Sequence, residues 1–207
     1  MAARVGILLS GRGSNFLALH GAMERGEVPA DIALVLSNVP EAPGLARARD
    51  LGLETASIPH RDAPSREAHE AEVAAALAAA GVEWVCLAGY MRLLSPGLVG
   101  RYRQRMLNIH PSLLPAFPGL DVQRQALDHG VKLSGCTVHL VDEGLDSGPI
   151  VVQRAVPVLD DDTAETLAAR ILEQEHRAYP EALRRLLTER WRVDGRRVVF
   201  AGERTAT

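Results

Sequence analysis

Apolar positions in the first half of the chain come in short runs closed by glycine or polar residues, alternating with stretches of helical spacing. The run at 4–10, RVGILLS, reads as a buried strand. The stretch at 14–26, SNFLALHGAMERG, has helical periodicity and stops at Gly26. DIALVLSN (31–38) is a second strand, an Ala/Arg-rich helix follows over roughly 42–51, and ETASIPH is a weaker third strand. SREAHEAEVAAALAAAG (65–81) combines strong helix formers with a terminal glycine. EWVCLAGY (83–90) and RMLNIH (105–110) are two further strands. Strands alternating with helices predict an α/β fold: an open, mostly parallel sheet with helices on both faces.

The second half changes pattern. KLSGCTVHLVD (132–142) and GPIVVQRAVPV (148–158) leave no room for a crossover helix, so antiparallel strands are expected to extend the sheet. A long helix then begins at DDDTAETL, where Asp162 and Glu165 have capping-box spacing, and Pro180 is expected to kink or split it. WRVDGRRVVF sets Asp-Gly between two strand-like arms, a hairpin signal.

Composition narrows the function classes. A length of 207 residues with 47% apolar positions suits one domain with a proper core, and a net charge of −3 gives no reason to expect nucleic acid or an anionic membrane. No apolar run approaches the roughly 20 residues of a membrane helix. The N-terminal apolar run meets a glycine turn without a cleavage-like site, so no secretory signal is expected. Cys86 and Cys136 lie in strand-like runs and read as reduced core thiols, which points to the cytoplasm. Lys132 is the one lysine among 23 basic residues. A Walker-type phosphate loop and a lysine Schiff base are both improbable as a result.

Candidate chemistry sits at three places. SGRGSN (10–15) joins the first strand to the first helix, at the sheet edge where ligands bind in open α/β folds. It is either a tight turn capped by Ser14 or Asn15, or an anion cradle at a helix N-terminus. A dinucleotide fits poorly, because Phe16 stands at the sixth fingerprint position and Ser37-Asn38 where an acidic residue is wanted; a phosphate monoester fits better. Asn108 and His110 point to one face of an extended segment, which then leaves through Pro111, Pro115 and Pro118. His110 is either a satisfied core histidine or half of an acyl-transfer pair, with the amide holding an oxyanion and the imidazole moving a proton. G-x-S-x-G is missing around Ser112. VDEGLDSGPI (141–150) holds Asp142, Glu143 and Asp146: an acidic turn, a metal site without established ligand spacing, or a source of Asp146 as partner to His110. His139 is read as structural. Glu175 falls on the apolar stripe with Leu167 and Ile171, so it is either paired with an arginine or kept for a cationic amine.

Taken together, SGRGSN, SNVPEAPGLARA, LAGYMRLLSP, LNIHPSLLPAFPG, VDEGLDSGPI and QEHRAYP occur in an order that resembles the phosphoribosylglycinamide formyltransferases, from about residue 4 to about 200. The resemblance implies a Rossmann-like formyltransferase fold in a single domain over 1–207. Its half to about residue 100 would bind phosphate, and its half from about 101 to 200 would bind folate and carry catalysis. It implies transfer of a formyl group from 10-formyltetrahydrofolate to the amine of phosphoribosylglycinamide, in purine synthesis, without a metal. It also implies a catalytic set of Asn108, His110 and Asp146, and substrate phosphate on Gly13, Ser14 and Asn15, with Glu175 at the glycinamide amine. The folate contacts it implies are Arg66, Met91, Arg92, Leu93, Leu94, Asn108, Asp142, Glu143, Gly144, Leu145 and Asp146. The sequence departs from the family at DVQRQ, so no role is assigned to the side chains at 121–123. Nucleic acid and membrane are not expected partners, and monomer or homodimer stays open. A formyltetrahydrofolate deformylase is the alternative: it transfers to water and requires neither the phosphate loop nor Glu175. Methionyl-tRNA formyltransferase would want a further RNA-binding domain, and a regulatory nucleotide-binding module would bind without turnover.

Overall fold

A computed structural model describes residues 2–202, so Met1 and residues 203–207, the ends of the expected 1–207 span, lie outside the described residues. The first half alternates as its apolar pattern requires: β1 (Ala3–Leu9), α1 (Ser14–Glu24), β2 (Ala30–Ser37), α2 (Pro43–Asp50), β3 (Thr55–Ser57), α3 (Arg66–Ala79), β4 (Trp84–Leu87), α4 (Pro96–Arg101) and β5 (Met106–His110). Then come α5 (Val122–Asp128), β6 (Leu133–Leu140), β7 (Ile150–Pro157), α6 (Ala164–Thr188), β8 (Trp191–Asp194) and β9 (Arg197–Phe200). The strands form one sheet in the order β3-β2-β1-β4-β5-β6-β7-β9-β8. Strands β1 to β5 are parallel, while β6 and β7 each run antiparallel to the strand before. The chain steps outward from β1 in both directions, so the loops after β1 and β4 part at a topological switch point.

Alternation along the strands sorts the core into two layers. Val5, Ile7 and Leu9 of β1, with Leu107, Ile109, Cys136, Val138 and Leu140, pack against Phe16 and Leu19 of α1, Leu45 of α2 and Leu167, Ile171 and Leu183 of α6. Each such buried side chain contributes ~2 kcal/mol. Tyr179 of α6 is fully buried and hydrogen-bonds the carbonyls of Leu87 (3.0 Å) and Leu107 (3.2 Å), fixing α6 against β4 and β5. On the opposite face Leu8, Leu36, Val85, Leu87 and Met106 pack against Val73 and Leu77 of α3 and Leu98 of α4. That helical layer goes no further than Met106. Beside it, Asn108, His110, Thr137 and His139 share the same face, since Asn108 pairs with His139 and His110 with Thr137 across β5 and β6. Two connections, 111–121 and 141–149, cover that stretch of sheet in place of a helix.

Several local expectations change. The capping box of α6 is Thr163 with Thr166, which exchange hydrogen bonds, and not Asp162 with Glu165. Asp162 instead accepts from the Leu159 amide and the Arg170 guanidinium, which hold its carboxyl well below the usual carboxylate range. Pro180 does not split α6, which runs unbroken to Thr188. Pro180, Tyr179 and Leu183 are all buried, and that packing outweighs one missing amide hydrogen bond. Cys86 and Cys136 are free and buried, and burial pushes both thiols up to about 12.

Candidate active site

The loop after β1 is built from glycine for close approach. Gly13, at φ 73°, is the N-cap of α1, with no side-chain cap bond, so neither Ser14 nor Asn15 caps this helix. The first-turn N–H groups therefore lack a capping side chain, the arrangement that receives anions. A Cβ on Gly13 would meet the Gly44 Cα at 2.9 Å, and the Gly44 amide donates to the Gly11 carbonyl at 3.0 Å. The start of α2 is thereby locked onto the loop. The Ser10 hydroxyl donates to Asn38 Oδ1 at 2.6 Å and accepts from the Met91 amide at 2.9 Å, tying together the loops after β1, β2 and β4.

Asn15 and Glu175 lie together. Asn15 Nδ2 donates to Glu175 Oε2 at 2.6 Å, and Asn15 Oδ1 is buried without a partner. Glu175 is buried, and burial raises its carboxyl above the usual range, with the Asn15 hydrogen bond opposing the shift. No arginine pairs with it in any ion pair of the described residues, so the structural ion-pair reading fails. One N–H of the Asn15 amide is engaged by Glu175, and its second N–H is left free.

Around His110 the groups converge. His110 Nδ1 lies 3.5 Å from Asp146 Oδ2, and His110 Nε2 is 2.9 Å from the Phe117 carbonyl. A carbonyl and a carboxylate both accept, so the imidazolium, a donor at each nitrogen, fits this environment. Asp146 also accepts from the Gly119 amide at 2.9 Å, which joins the two covering loops. Both partners of His110 stand on strained backbone: Phe117 (φ 53°) and Asp146 (φ 50°) are left-handed, at about 1–2 kcal/mol each. Strain of this kind persists where the surroundings over-determine it, and here the loops are well held. Thr137 Oγ1 donates to the Ser112 carbonyl (2.7 Å) and accepts from the Leu114 amide (3.0 Å), while Gln153 Nε2 donates to the Leu114 carbonyl (2.8 Å).

His139, read from sequence as structural, completes the group. Its Nδ1 donates to the Leu140 carbonyl (2.9 Å), leaving Nε2 to accept from Asn108 Nδ2 (3.2 Å). Burial holds its pKa below the ordinary histidine value, so it stays a neutral acceptor at neutral pH. Asn108 is thus oriented by one N–H and keeps the other for a ligand. The signal in the sequence was the β6 alternation, which puts Thr137 and His139 on the face of Asn108 and His110.

The remaining candidates divide. Asp142 Oδ1 accepts from Ser147 Oγ (2.7 Å) and the Gly144 amide (3.1 Å), so this carboxylate shapes its own loop. Glu143, Gly144 and Leu145 are exposed there, as are Met91 and Leu93 in the segment after β4, with Arg92 and Leu94 half-buried. Arg66 is exposed in the first turn of α3, 3.7 Å from Glu67, and no described contact links it to the histidine group. Among the described residues no group of three His, Cys, Asp or Glu side chains could hold a metal ion, and no helix is long and apolar enough to cross a membrane. An oriented amide N–H and an imidazole braced by a carboxylate can stabilise an oxyanion and move a proton.

Known proteins resemble this chain over most of its length. Residues 3–183 match the formyl transferase family. The chain is 41% identical over 190 residues to phosphoribosylglycinamide formyltransferase of Escherichia coli (strain K12), covering 92% of this chain and 87% of that one. It is 51% identical over 186 residues to the trifunctional purine biosynthetic protein adenosine-3 of Drosophila melanogaster, covering 89% of this chain but only 14% of that protein's length. Glycinamide ribonucleotide transformylase 1 from Symbiobacterium toebii superposes with a TM-score of 0.94 at 50% identity, over 96% of this chain and 94% of that one. A formyltetrahydrofolate deformylase from Pseudomonas syringae pv. tomato superposes with a TM-score of 0.88 at 30% identity, over 97% of this chain and 66% of that one.

Proposed function

This chain belongs to the formyl transferase family, and we propose that it transfers the formyl group of 10-formyltetrahydrofolate to the amine of phosphoribosylglycinamide, a step of purine synthesis in the cytoplasm. The observation that carries the reading is the meeting of Asn108, His110 and Asp146 on a stretch of sheet face covered by loops instead of a helix. The glycine loop at Gly13 to Asn15 takes the substrate's phosphate through the first-turn N–H groups of α1, which no side chain caps. Glu175 receives the N–H donors of the same substrate's amine. The exposed apolar side chains of Met91, Leu93 and Leu145 suit the flat ring system of a folate, with Arg66, Arg92, Leu94 and the loop Asp142 to Asp146 completing that side. The domain acts as a unit, as monomer or homodimer, and uses no metal.

Asn108 and the imidazolium of His110 stabilise the negative charge that develops on the formyl oxygen as the new C–N bond forms. Asp146, 3.5 Å from His110 Nδ1, holds the ring in orientation. As the bond from the formyl carbon to the donor nitrogen breaks, that nitrogen gains a proton and the attacking amine loses one, so proton count is conserved. His110 relays it, which requires one of its two present contacts, to Phe117 or to Asp146, to open. Neutral His139 keeps Asn108 aimed at the oxygen throughout.

The test is turnover of 10-formyltetrahydrofolate by the purified chain, with and without phosphoribosylglycinamide. Release of tetrahydrofolate that depends on the amine is expected. Release at the same rate without it would point to the deformylase reaction instead.

A further inference from the structure

One buried carboxylate lies outside this chemistry. Glu70 sits on the inward stripe of α3 with His69, Val73 and Leu77, only 6% exposed. Among the described residues it enters no ion pair. Its oxygens accept from the Ser95 amide at 2.8 and 3.0 Å and from the Ser95 hydroxyl, so every hydrogen bond it makes goes to one residue. Burying a charge is costly, and an apolar side chain of similar volume would serve a core at least as well. The carboxylate is therefore retained for what it does to Ser95.

Ser95 ends the segment that follows β4 and is the N-cap of α4, where its hydroxyl accepts from the Leu98 amide at 3.4 Å. The other end of the segment is fixed to the glycine loop: the Ser10 amide donates to the Gly89 carbonyl (3.0 Å) and the Met91 amide to the Ser10 hydroxyl (2.9 Å). Between these anchors Met91 and Leu93 stand 66% and 64% exposed. Two large apolar side chains held in water on a strand of backbone clamped at both ends form a ready shelf for an apolar ligand.

We infer that Glu70 is a positioning residue for the formyl-donor site, acting through Ser95 to set the Met91–Leu94 shelf. The inference rests on the reading that this shelf meets folate. Glu70 touches neither substrate, so its loss acts on donor binding and leaves the chemical step alone.

The test compares Glu70→Gln, Ser95→Ala and the double variant with the parent in steady-state kinetics, alongside urea unfolding to confirm that each is folded. The KM for 10-formyltetrahydrofolate is expected to rise roughly five- to tenfold in Glu70→Gln, which still accepts from Ser95 but without the charge, with kcat and the KM for phosphoribosylglycinamide within about twofold. The double variant should be no worse than the weaker single one, because both break the same link. An unchanged donor KM, or an equal fall in kcat and rise in both KM values, overturns the inference. Should Glu70→Gln fail to fold, Ser95→Ala carries the same comparison. If the parent does not turn over, the proposed function fails separately, and calorimetric titration with 5-formyltetrahydrofolate decides: weaker binding in the variants supports the role of Glu70, and equal or absent binding overturns it.

Discussion

Replacing Glu175 by glutamine should make the protein more stable and a poorer enzyme, and the structure sets both magnitudes. The amide keeps the shape of the side chain and still accepts from Asn15 Nδ2, now at 2.6 Å from the carboxylate. Its new NH2 group brings a donor to the Asn15 side chain, whose Oδ1 is buried without a partner, and the two are expected to pair. Satisfying that acceptor and removing a desolvated charge should add about 1–2 kcal/mol at neutral pH. On the ligand side, a charged acceptor is lost to a donor of the substrate. That costs about 1.5–3 kcal/mol, or roughly a 10- to 100-fold rise in the KM for phosphoribosylglycinamide. The pH dependence identifies the cause. Burial raises the Glu175 carboxyl above 4.5, so its contribution to stability is complete below the unfolded value of about 4.3 and declines as pH rises through the folded one. The variant has no such decline. Urea midpoints taken across that range should coincide at the acid end and separate with rising pH. A variant that is less stable at neutral pH, or a gap that ignores pH, would refute this reasoning.

Other outcomes follow from the same contacts. His110→Ala and Asp146→Asn should each lower kcat by roughly 10²–10³, with circular dichroism unchanged. His139→Phe, which removes the acceptor at Asn108 Nδ2, should lower kcat about tenfold, and His139→Gln, which restores an acceptor, should recover part of it in the same assay. Gly148→Ala would drive a methyl into the Leu140 carbonyl, where β6 turns into β7, and should cost roughly 3 kcal/mol or more in urea unfolding.

The sheet was legible because buried strands and amphipathic helices have distinct periods, and every expected strand and helix of the first half is present. What escaped was short or non-local. Helices α4 and α5, of six and seven residues, hold too few turns to show a period. At the start of α6, three aspartates in a row drew the cap to Asp162, whereas the Thr163 and Thr166 hydroxyls fit the geometry and free Asp162 for Arg170. The face shared by Asn108 and His110 could be read from a spacing of two. That His139 would brace Asn108 required the β5–β6 register, which no local pattern encodes. Glu175 stood out as a carboxylate on an apolar stripe, yet its partner is Asn15, 160 positions away. Glu70 carried the same signal on α3, lost among Arg66, Glu67 and Glu72 around it.

The exchange of a helix for two loops over β5 and β6 also bears on how such a protein diversifies. Helix-covered stretches tie their neighbours to fixed volumes, so a change there propagates through the interior. Irregular backbone resting on an intact sheet can lengthen, shorten or alter its side chains at the cost of a few hydrogen bonds. Chemistry built under that cover can acquire a new acceptor molecule while the scaffold beneath is inherited unaltered.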